Sequence, residues 1–237
     1  MLARARRALR RRADLARHRG DAVCCPVCGS RFDRFKPDWN RADAVCWSCG
    51  AHERHRALAL VLDAQPQLLD GARSLLHFAP EWCLRRRLGS LTQLRYVTAD
   101  LDPAKGELQL DLLDLALPDA CFDAVLCLHV LEHVQDDRAA MGELRRVTAP
   151  GGWAIVMVPL DLERASTYED ASIRDPQARR RAFWQHDHLR LYAPDVAERL
   201  RAAGFEVEPI HVAADAGPAA ARRHGLLLSD VVFLCRV

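Results

Sequence analysis

Phe122 to His133 reads FDAVLCLHVLEH, and one helix-length later the chain reaches Ala149-Pro150-Gly151-Gly152. Within the first stretch, Ala124 to Leu128 is an unbroken apolar run of strand length that stops at three polar residues, His129, Glu132 and His133. An unbroken run, unlike an alternating one, marks a strand covered on both faces, as in a parallel sheet. Open α/β sheets bind ligands beyond the carboxyl ends of such strands. The stretch therefore predicts the floor of a ligand site, with polar groups at its rim and an acidic lead-in, Asp111 to Asp119, on its amino side.

The chain around it alternates between the two periodicities, which argues for a parallel sheet flanked by helices. Strands are predicted over Ser74–Phe78, Leu94–Ala99, Phe122–Leu128, Trp153–Pro159, Glu206–His211 and Val231–Arg236. Helices are predicted over Glu81–Leu88, Asp136–Val147 and Pro194–Ala203, the last closed by Gly204. The segment from Thr167 to Tyr192 mixes aromatic, acidic and imidazole groups without a simple period, and reads as a loop or lid over the strand ends. Tyr168, Glu169, His188, Arg190 and Tyr192 are its candidates for touching an acceptor; the alternative is that they are hydrogen-bonded struts fixing the lid.

The first quarter of the chain carries different chemistry. Cys25-Pro26-Val27-Cys28-Gly29 and Cys46-Trp47-Ser48-Cys49-Gly50 are two C-x-x-C knuckles at the separation of a four-cysteine zinc ribbon. Each knuckle aims two thiolates at one ion, and the glycine behind it permits the tight turn. Cys25, Cys28, Cys46 and Cys49 are the expected ligands of a closed, structural Zn²⁺ site, with Cys24 as the alternative to Cys25. Glu53-Arg54-His55-Arg56 then opens a helix, and reads as a solvated first turn, with an inter-domain ion pair or a substrate contact as the alternatives. Ahead of the ribbon, residues 1–20 place Leu2, Ala5, Leu9, Ala13 and Ala16 on one side of an Arg-rich helix with Gly20 as its stop. That arm reads as a solvated helix, an arm on nucleic acid or an anionic surface, or a transit peptide.

Composition bounds these readings. The 237 residues carry a net charge of +2, with half of them hydrophobic and 28% charged, which is ordinary for a globular protein and too weakly basic to demand a polyanionic partner. No apolar run approaches the ~20 residues that span a bilayer. Nine cysteines without a signal-peptide core predict a reducing, cytoplasmic setting. The expected units are a basic arm over 1–21, the ribbon over 22–56 and a main domain over 57–237.

Asp100 ends the second predicted strand twenty-one positions after Ala79 ends the first. An acid so placed can accept both hydroxyls of a ribose. The lead-in from Asp111 through Leu112 to Asp114 would then meet an adenine edge. In this order and spacing, these features together resemble the class I S-adenosylmethionine-dependent methyltransferases, notably the type 11-like group with a segment like FDAVLCLHVLEHV and a PGG turn. The resemblance implies a Rossmann-like, doubly wound, seven-stranded sheet with a reversed last strand, and S-adenosyl-L-methionine across the carboxyl ends of the first strands. The family's glycine-rich first loop is replaced by Leu76-His77-Phe78-Ala79-Pro80-Glu81, as in a subgroup that pairs a zinc ribbon ending in ERHR with an LHFAPE strand. On that likeness Ala79 and Glu81 face the methionyl part of the cofactor and His129 belongs to the cofactor side; His188 or His133 is the candidate base, since imidazole titrates near neutral pH. The implied activity is methyl transfer to a small-molecule, glycan or peptide acceptor. Two alternatives stand beside it: an RNA methyltransferase gripping rRNA or tRNA with ribbon and arm, and a non-catalytic zinc module on a degenerate cofactor fold.

Overall fold

A computed structural model describes residues 2–39 and 41–237; the side chains of residues 2–5, 7 and 8, including Leu2 and Ala5 of the expected apolar stripe, lie outside the described residues. Helix α1 (Leu2–Arg17) leads into two hairpins, β1 (Arg19–Cys24) with β2 (Arg31–Phe32) and β3 (Lys36–Asp38) with β4 (Arg41–Val45). Helices α2 (Glu53–Ala64) and α3 (Gln67–Asp70) connect these to β5 (Ser74–Phe78), α4 (Trp82–Leu88), β6 (Arg95–Asp100), β7 (Leu108–Gln109) and β8 (Phe122–Leu128). A single 3-10 turn (Leu131–His133) precedes α5 (Asp137–Val147) and β9 (Thr148–Met157). The lid follows as β10 (Tyr168–Glu169), α6 (Pro176–Phe183) and β11 (Arg190–Leu191), and the chain ends α7 (Val196–Ala202), β12 (Glu206–Ile210), α8 (Val212–His224) and β13 (Val232–Arg236).

Seven strands form one sheet in the order β12-β13-β9-β8-β5-β6-β7. Neighbours pair in parallel except β13, which runs antiparallel to both β9 and β12. This is the doubly wound sheet with a reversed last strand. From β5 the chain winds outward to β6, and from β8 it winds the other way to β9, so the order reverses between β5 and β8. That reversal opens a crevice at the carboxyl ends of those two strands.

The unbroken apolar runs are explained by cover on both faces. Leu75, Leu126 and Ile155 pack on one side with Leu58, Val61 and Leu84, while Leu76, Val125 and Val156 pack on the other with Leu144 and Leu200. Each such leucine removed from water contributes about 1.5–3 kcal/mol. Asp123, the one polar residue inside β8, serves the neighbouring strand: its Oδ2 accepts from Arg73 N, Ser74 N and Ser74 Oγ at 2.9–3.0 Å and fixes where β5 begins.

The structure moves several local expectations. Pro150-Gly151-Gly152 is a bulge inside β9 rather than the turn ahead of it, since register shifts between Phe122↔Thr148 and Ala124↔Trp153. Only glycine fits there, as a Cβ on Gly152 would lie 2.6 Å from Asp123 O. Gly20 does not stop a helix; it lies within β1, where an added Cβ would come 2.8 Å from Asp33 N. Leu9 on the expected apolar stripe of α1 is exposed, while Leu15 packs against the core. The lid contains a helix, capped by Asp175 Oδ1 accepting from Ala178 N. Helix α8 went unpredicted because Gly217 and Pro218 interrupt its pattern; Gly217 has φ +77° and kinks it.

Glu53-Arg54-His55-Arg56 is the largest departure. Glu53, His55 and Arg56 are buried, not solvated. The Arg56 guanidinium donates to Ala44 O, Ala51 O, His224 O and Gly225 O at 2.6–2.8 Å, and stacks 4.0 Å from the Phe35 ring centroid. One side chain thereby joins ribbon, α2 and the end of α8.

Candidate functional site

Two residues with a Cβ hold left-handed backbone at the crevice: Ala79, φ +47°, just after β5, and His129, φ +53°, just after β8. That region is uncommon for such residues, and strain of this kind persists only where the surroundings enforce it. Here neighbouring strands enforce it, through Ala79 N donating to Ala99 O and His129 N donating to Met157 O, both at 2.8 Å. The glycine-free loop thus keeps a backbone turn that glycine would take without cost. Asp100 ends β6, with its Oδ1 accepting from Asp102 N at 2.9 Å. Asp111 is exposed and Oδ1 accepts from Leu113 N, while Leu112 is buried in one cluster with Phe78 and Ala99. Ala79, Asp100, Asp111, Leu112 and His129 all follow or end consecutive strands on the same edge of the sheet.

Glu81 opens α4 beside this edge, and its carboxylate is enclosed. Oε1 lies 2.9 Å from His55 Nε2 on α2, and Oε2 lies 3.1 Å from His77 Nε2 on β5. The tautomers follow from the outer partners. His55 Nδ1 accepts from His52 N at 3.0 Å, so Nε2 carries the proton toward Glu81. His77 Nδ1 lies 2.8 Å from Tyr96 Oη, which can donate, so the same assignment serves there. Burial pushes the Glu81 carboxyl up, but the two imidazoles outweigh it and hold the group well below the usual carboxylate range. Burial lowers His55, favouring the neutral ring. Nearby, Arg54 Nε, 3.8 Å from Glu81 Oε1, His52 Nδ1 and Asp230 Oδ2 are buried without hydrogen-bond partners. Burial raises Asp230 to about 6, against the pull of His129 and Arg54.

A second histidine and carboxylate group stands after β8. Glu132, His133 and His188 each offer a ligand atom, all within 4.8 Å of one another. His188 is buried, and its Nδ1 donates to Phe183 O at 2.9 Å, leaving a lone pair on Nε2. His133 is 37% exposed, with Nδ1 3.4 Å from Asp187 Oδ2. Glu132 Oε1 lies 3.4 Å from His129 Nδ1. The lid residues named from sequence brace this group. Arg190 donates to Leu131 O, Val134 O and Gln135 O at 2.5–3.0 Å and to Glu169 Oε2 at 3.0 Å. Glu169 Oε1 accepts from Arg199, and Asp137 Oδ2 accepts from Arg199 and the buried Tyr192 hydroxyl, at 2.8–2.9 Å. Tyr168 remains half-buried against Phe183, ring centroids 5.4 Å apart.

In the ribbon, Cys25 Sγ and Cys49 Sγ are 3.7 Å apart, as are Cys28 Sγ and Cys46 Sγ. That is the edge of a tetrahedron about 2.3 Å from its centre, the Zn–S distance, and far beyond a disulfide bond. Gly29 and Gly50, at φ +71° and +75°, close the knuckles with N–H bonds to Cys25 O and Cys46 O. Cys24 lies outside the four-sulfur group, and its carbonyl is 2.9 Å from His224 Nδ1.

Comparison with known proteins agrees with this geometry. Residues 47–156 match a family described as "Methyltransferase domain". Residues 47–156 thus carry the likeness to a methyltransferase domain. A probable S-adenosylmethionine-dependent methyltransferase of Mycolicibacterium smegmatis is 34% identical over 98 residues, 41% of this chain and 34% of that protein. Ajmaline N-methyltransferase of Rauvolfia serpentina is 43% identical over 47 residues, 20% of this chain and 16% of that one. The match thus spans about a third or less of either relative. The crystal structure of the [4+2]-cyclase SpnF shares the fold, with TM-score 0.51 and 18% identity over 85% of this chain and 84% of that one. A cyclase on the same fold shows why the acceptor must be argued from the site. Sequence reading missed the roles of His55, His77 and Tyr96 around Glu81, although His77 and Glu81 stand at i and i+4; nothing in the sequence pointed to Asp137 or Arg199. Among the described residues no helix is long and apolar enough to cross a membrane.

Proposed function

We propose that the protein transfers a methyl group from S-adenosyl-L-methionine to a small-molecule, glycan or peptide acceptor. The observation that carries this reading is the pair of left-handed residues, Ala79 and His129, flanking the reversal of strand order. Asp100 is suited to accept from the ribose hydroxyls, Asp111 and Leu112 border the adenine, and the strained backbone at Ala79 permits close approach. Arg54 Nε, 3.8 Å from Glu81 Oε1, and Asp230 Oδ2 are buried without hydrogen-bond partners and suit the carboxylate and ammonium of the methionyl end.

The sulfonium supplies an electrophilic methyl, so the protein has chiefly to orient the nucleophile, exclude water and take up a proton. His133 and His188 are the groups placed to activate the acceptor. Burial lowers the His188 pKa, which keeps its Nε2 lone pair available near neutral pH. Of the lid residues, Tyr168 is the one we assign to the acceptor, while Glu169 and Arg190 hold the lid by their mutual bond and Tyr192 by its bond to Asp137. A structural Zn²⁺ on Cys25, Cys28, Cys46 and Cys49 closes the ribbon, and requires thiolates and hence a reducing, cytoplasmic setting. We keep the units 1–21, 22–56 and 57–237 as arm, ribbon and catalytic domain, with α2 bridging the last two.

One observation favours the RNA reading as second choice. A groove of about 680 Å³ between α1, the ribbon and α4 is lined by Arg10, Arg11, Lys36 and Arg86 with Trp47 and Trp82, the cation and aromatic mixture that grips single strands. Calorimetric titration of the full chain with S-adenosylhomocysteine tests the main proposal. Binding is expected, weakened about tenfold or more by Asp100→Ala, the loss of a charged hydrogen-bond acceptor. A folded chain that takes up none would favour a non-catalytic module. RNA affinity that falls steeply with salt would promote the second reading.

A further inference from the structure

Two atoms beside the strand ends carry lone pairs that nothing among the described residues satisfies. Glu132 Oε2 and His188 Nε2 are both buried without a hydrogen-bond partner, on residues each only 1% exposed. Their other atoms are already committed. His188 Nδ1–H is held by Phe183 O at 2.9 Å, and Glu132 Oε1 faces His129 Nδ1 at 3.4 Å. Glu132 and His188 each bring a ligand atom within 4.8 Å of the other, and buried acceptors so placed repel unless something positive lies between them. A ring nitrogen of His133 completes the group within the same distance, and Asp187 Oδ2 stands 3.4 Å from His133 Nδ1.

The outer contacts have the form that metal-ligating histidines need, one ring nitrogen facing a carbonyl or carboxylate and the other turned to the ion. The segments bearing the three residues are also fastened together. Leu189 N donates to Glu132 O at 2.8 Å, and the Arg190 guanidinium bonds three carbonyls around the 3-10 turn that carries Glu132 and His133. The segments that carry these groups are therefore held side by side by their backbone bonds, as a preorganised ligand set requires.

We infer that Glu132, His133 and His188 bind a divalent transition-metal ion, distinct from the ribbon ion. Two imidazoles and one carboxylate suit Zn²⁺, Fe²⁺, Co²⁺ or Mn²⁺ rather than a hard, all-oxygen cation. Ligand atoms around one such ion stand about 3–4 Å apart, so a small rotation of the half-exposed His133 ring completes the site. Three protein ligands leave coordination positions open on the exposed His133 side. An oxygen or nitrogen of a substrate would fit there and lose its proton more readily than in water, the two imidazoles then activating the acceptor through the ion rather than as free bases. Ion binding itself does not depend on the methyltransferase reading.

Protein purified with its ribbon zinc is titrated with Co²⁺, followed by visible absorption and counted by native mass spectrometry. One zinc plus one Co²⁺ per chain is expected, the Co²⁺ showing weak d–d bands without sulfur charge transfer. His133→Ala, a half-exposed position where folding is spared, and Glu132→Gln should each weaken the Co²⁺ equivalent by at least about tenfold and leave the zinc in place. The inference is overturned by a wild type that binds no Co²⁺ beyond the sulfur site, or by variants that bind it as tightly as the wild type. S-adenosylhomocysteine binding on the same samples separates the two readings. If it is absent while Co²⁺ still binds, the cofactor reading fails alone.

Discussion

Two histidine and carboxylate groups stand at the carboxyl edge of the sheet, and they differ in one respect. At Glu81 both carboxylate oxygens and all four ring nitrogens of its two histidines are met: His55 and His77 each face an oxygen, and Tyr96 and His52 N satisfy the outer ring nitrogens. Around Glu132 one carboxylate oxygen and one imidazole nitrogen are left bare in a buried setting. The same residue types thus make a clamp in one place and an unfilled ligand set in the other. A closed group stabilises; an open one holds its energy until something binds.

The comparison breaks first at the ribbon junction, because His55 reaches Glu81 only while α2 is locked. Arg56→Met leaves several buried carbonyls without a donor, and should destabilise the fold by about 3–5 kcal/mol in urea unfolding. A loss under about 1 kcal/mol would mean that the clamp does not depend on it. Glu81→Gln comes next, at about 1–3 kcal/mol, and it carries a pH signature. The folded pKa of Glu81 lies below its unfolded value, so its stabilisation is present above about pH 4.3 and is lost as acid protonates it. His55, also depressed, has the same sign from about pH 6.5 downward, since the unfolded chain takes up that proton first. Wild-type unfolding midpoints should therefore fall as pH drops below about 6.5, and the Gln variant should lack the loss below about 4.3. The smallest effect is expected from Glu132→Gln, within about 1 kcal/mol of wild type or slightly stabilising, as at sites kept for binding rather than stability. A loss as large as that of Glu81→Gln would show the open group to be a strut after all.

Legibility differed between the two ends of the chain. The spacing of the four cysteines specified the ribbon because both members of each knuckle are local in sequence, and a three-residue offset leaves little freedom in where the sulfurs point. Strands such as Ser74–Phe78 and Phe122–Leu128 were readable to the residue, since burial on both faces writes an unbroken apolar run. Strand β7, two residues long, and the kinked α8 left no such mark. Glu53-Arg54-His55-Arg56 misled because four polar residues look solvated, and only distant carbonyls at Ala44, His224 and Gly225 make their burial tolerable.

FDAVLCLHVLEH by itself determined a buried parallel strand with polar groups beyond its end, because periodicity and the place where it stops are properties of neighbouring residues. What those polar groups are for was decided by tertiary structure. His188 comes from fifty-five positions after His133, and its placement beside Glu132 depends on Arg190 and Leu189 binding back to the turn after β8. Likewise, the sequence showed that Ala79 replaces glycine, but only the pull of Ala99 O on its N–H shows that alanine keeps glycine's turn. Short-range chemistry writes elements and knuckles into the chain. Whether a polar group is satisfied or left open depends on atoms that only folding brings near.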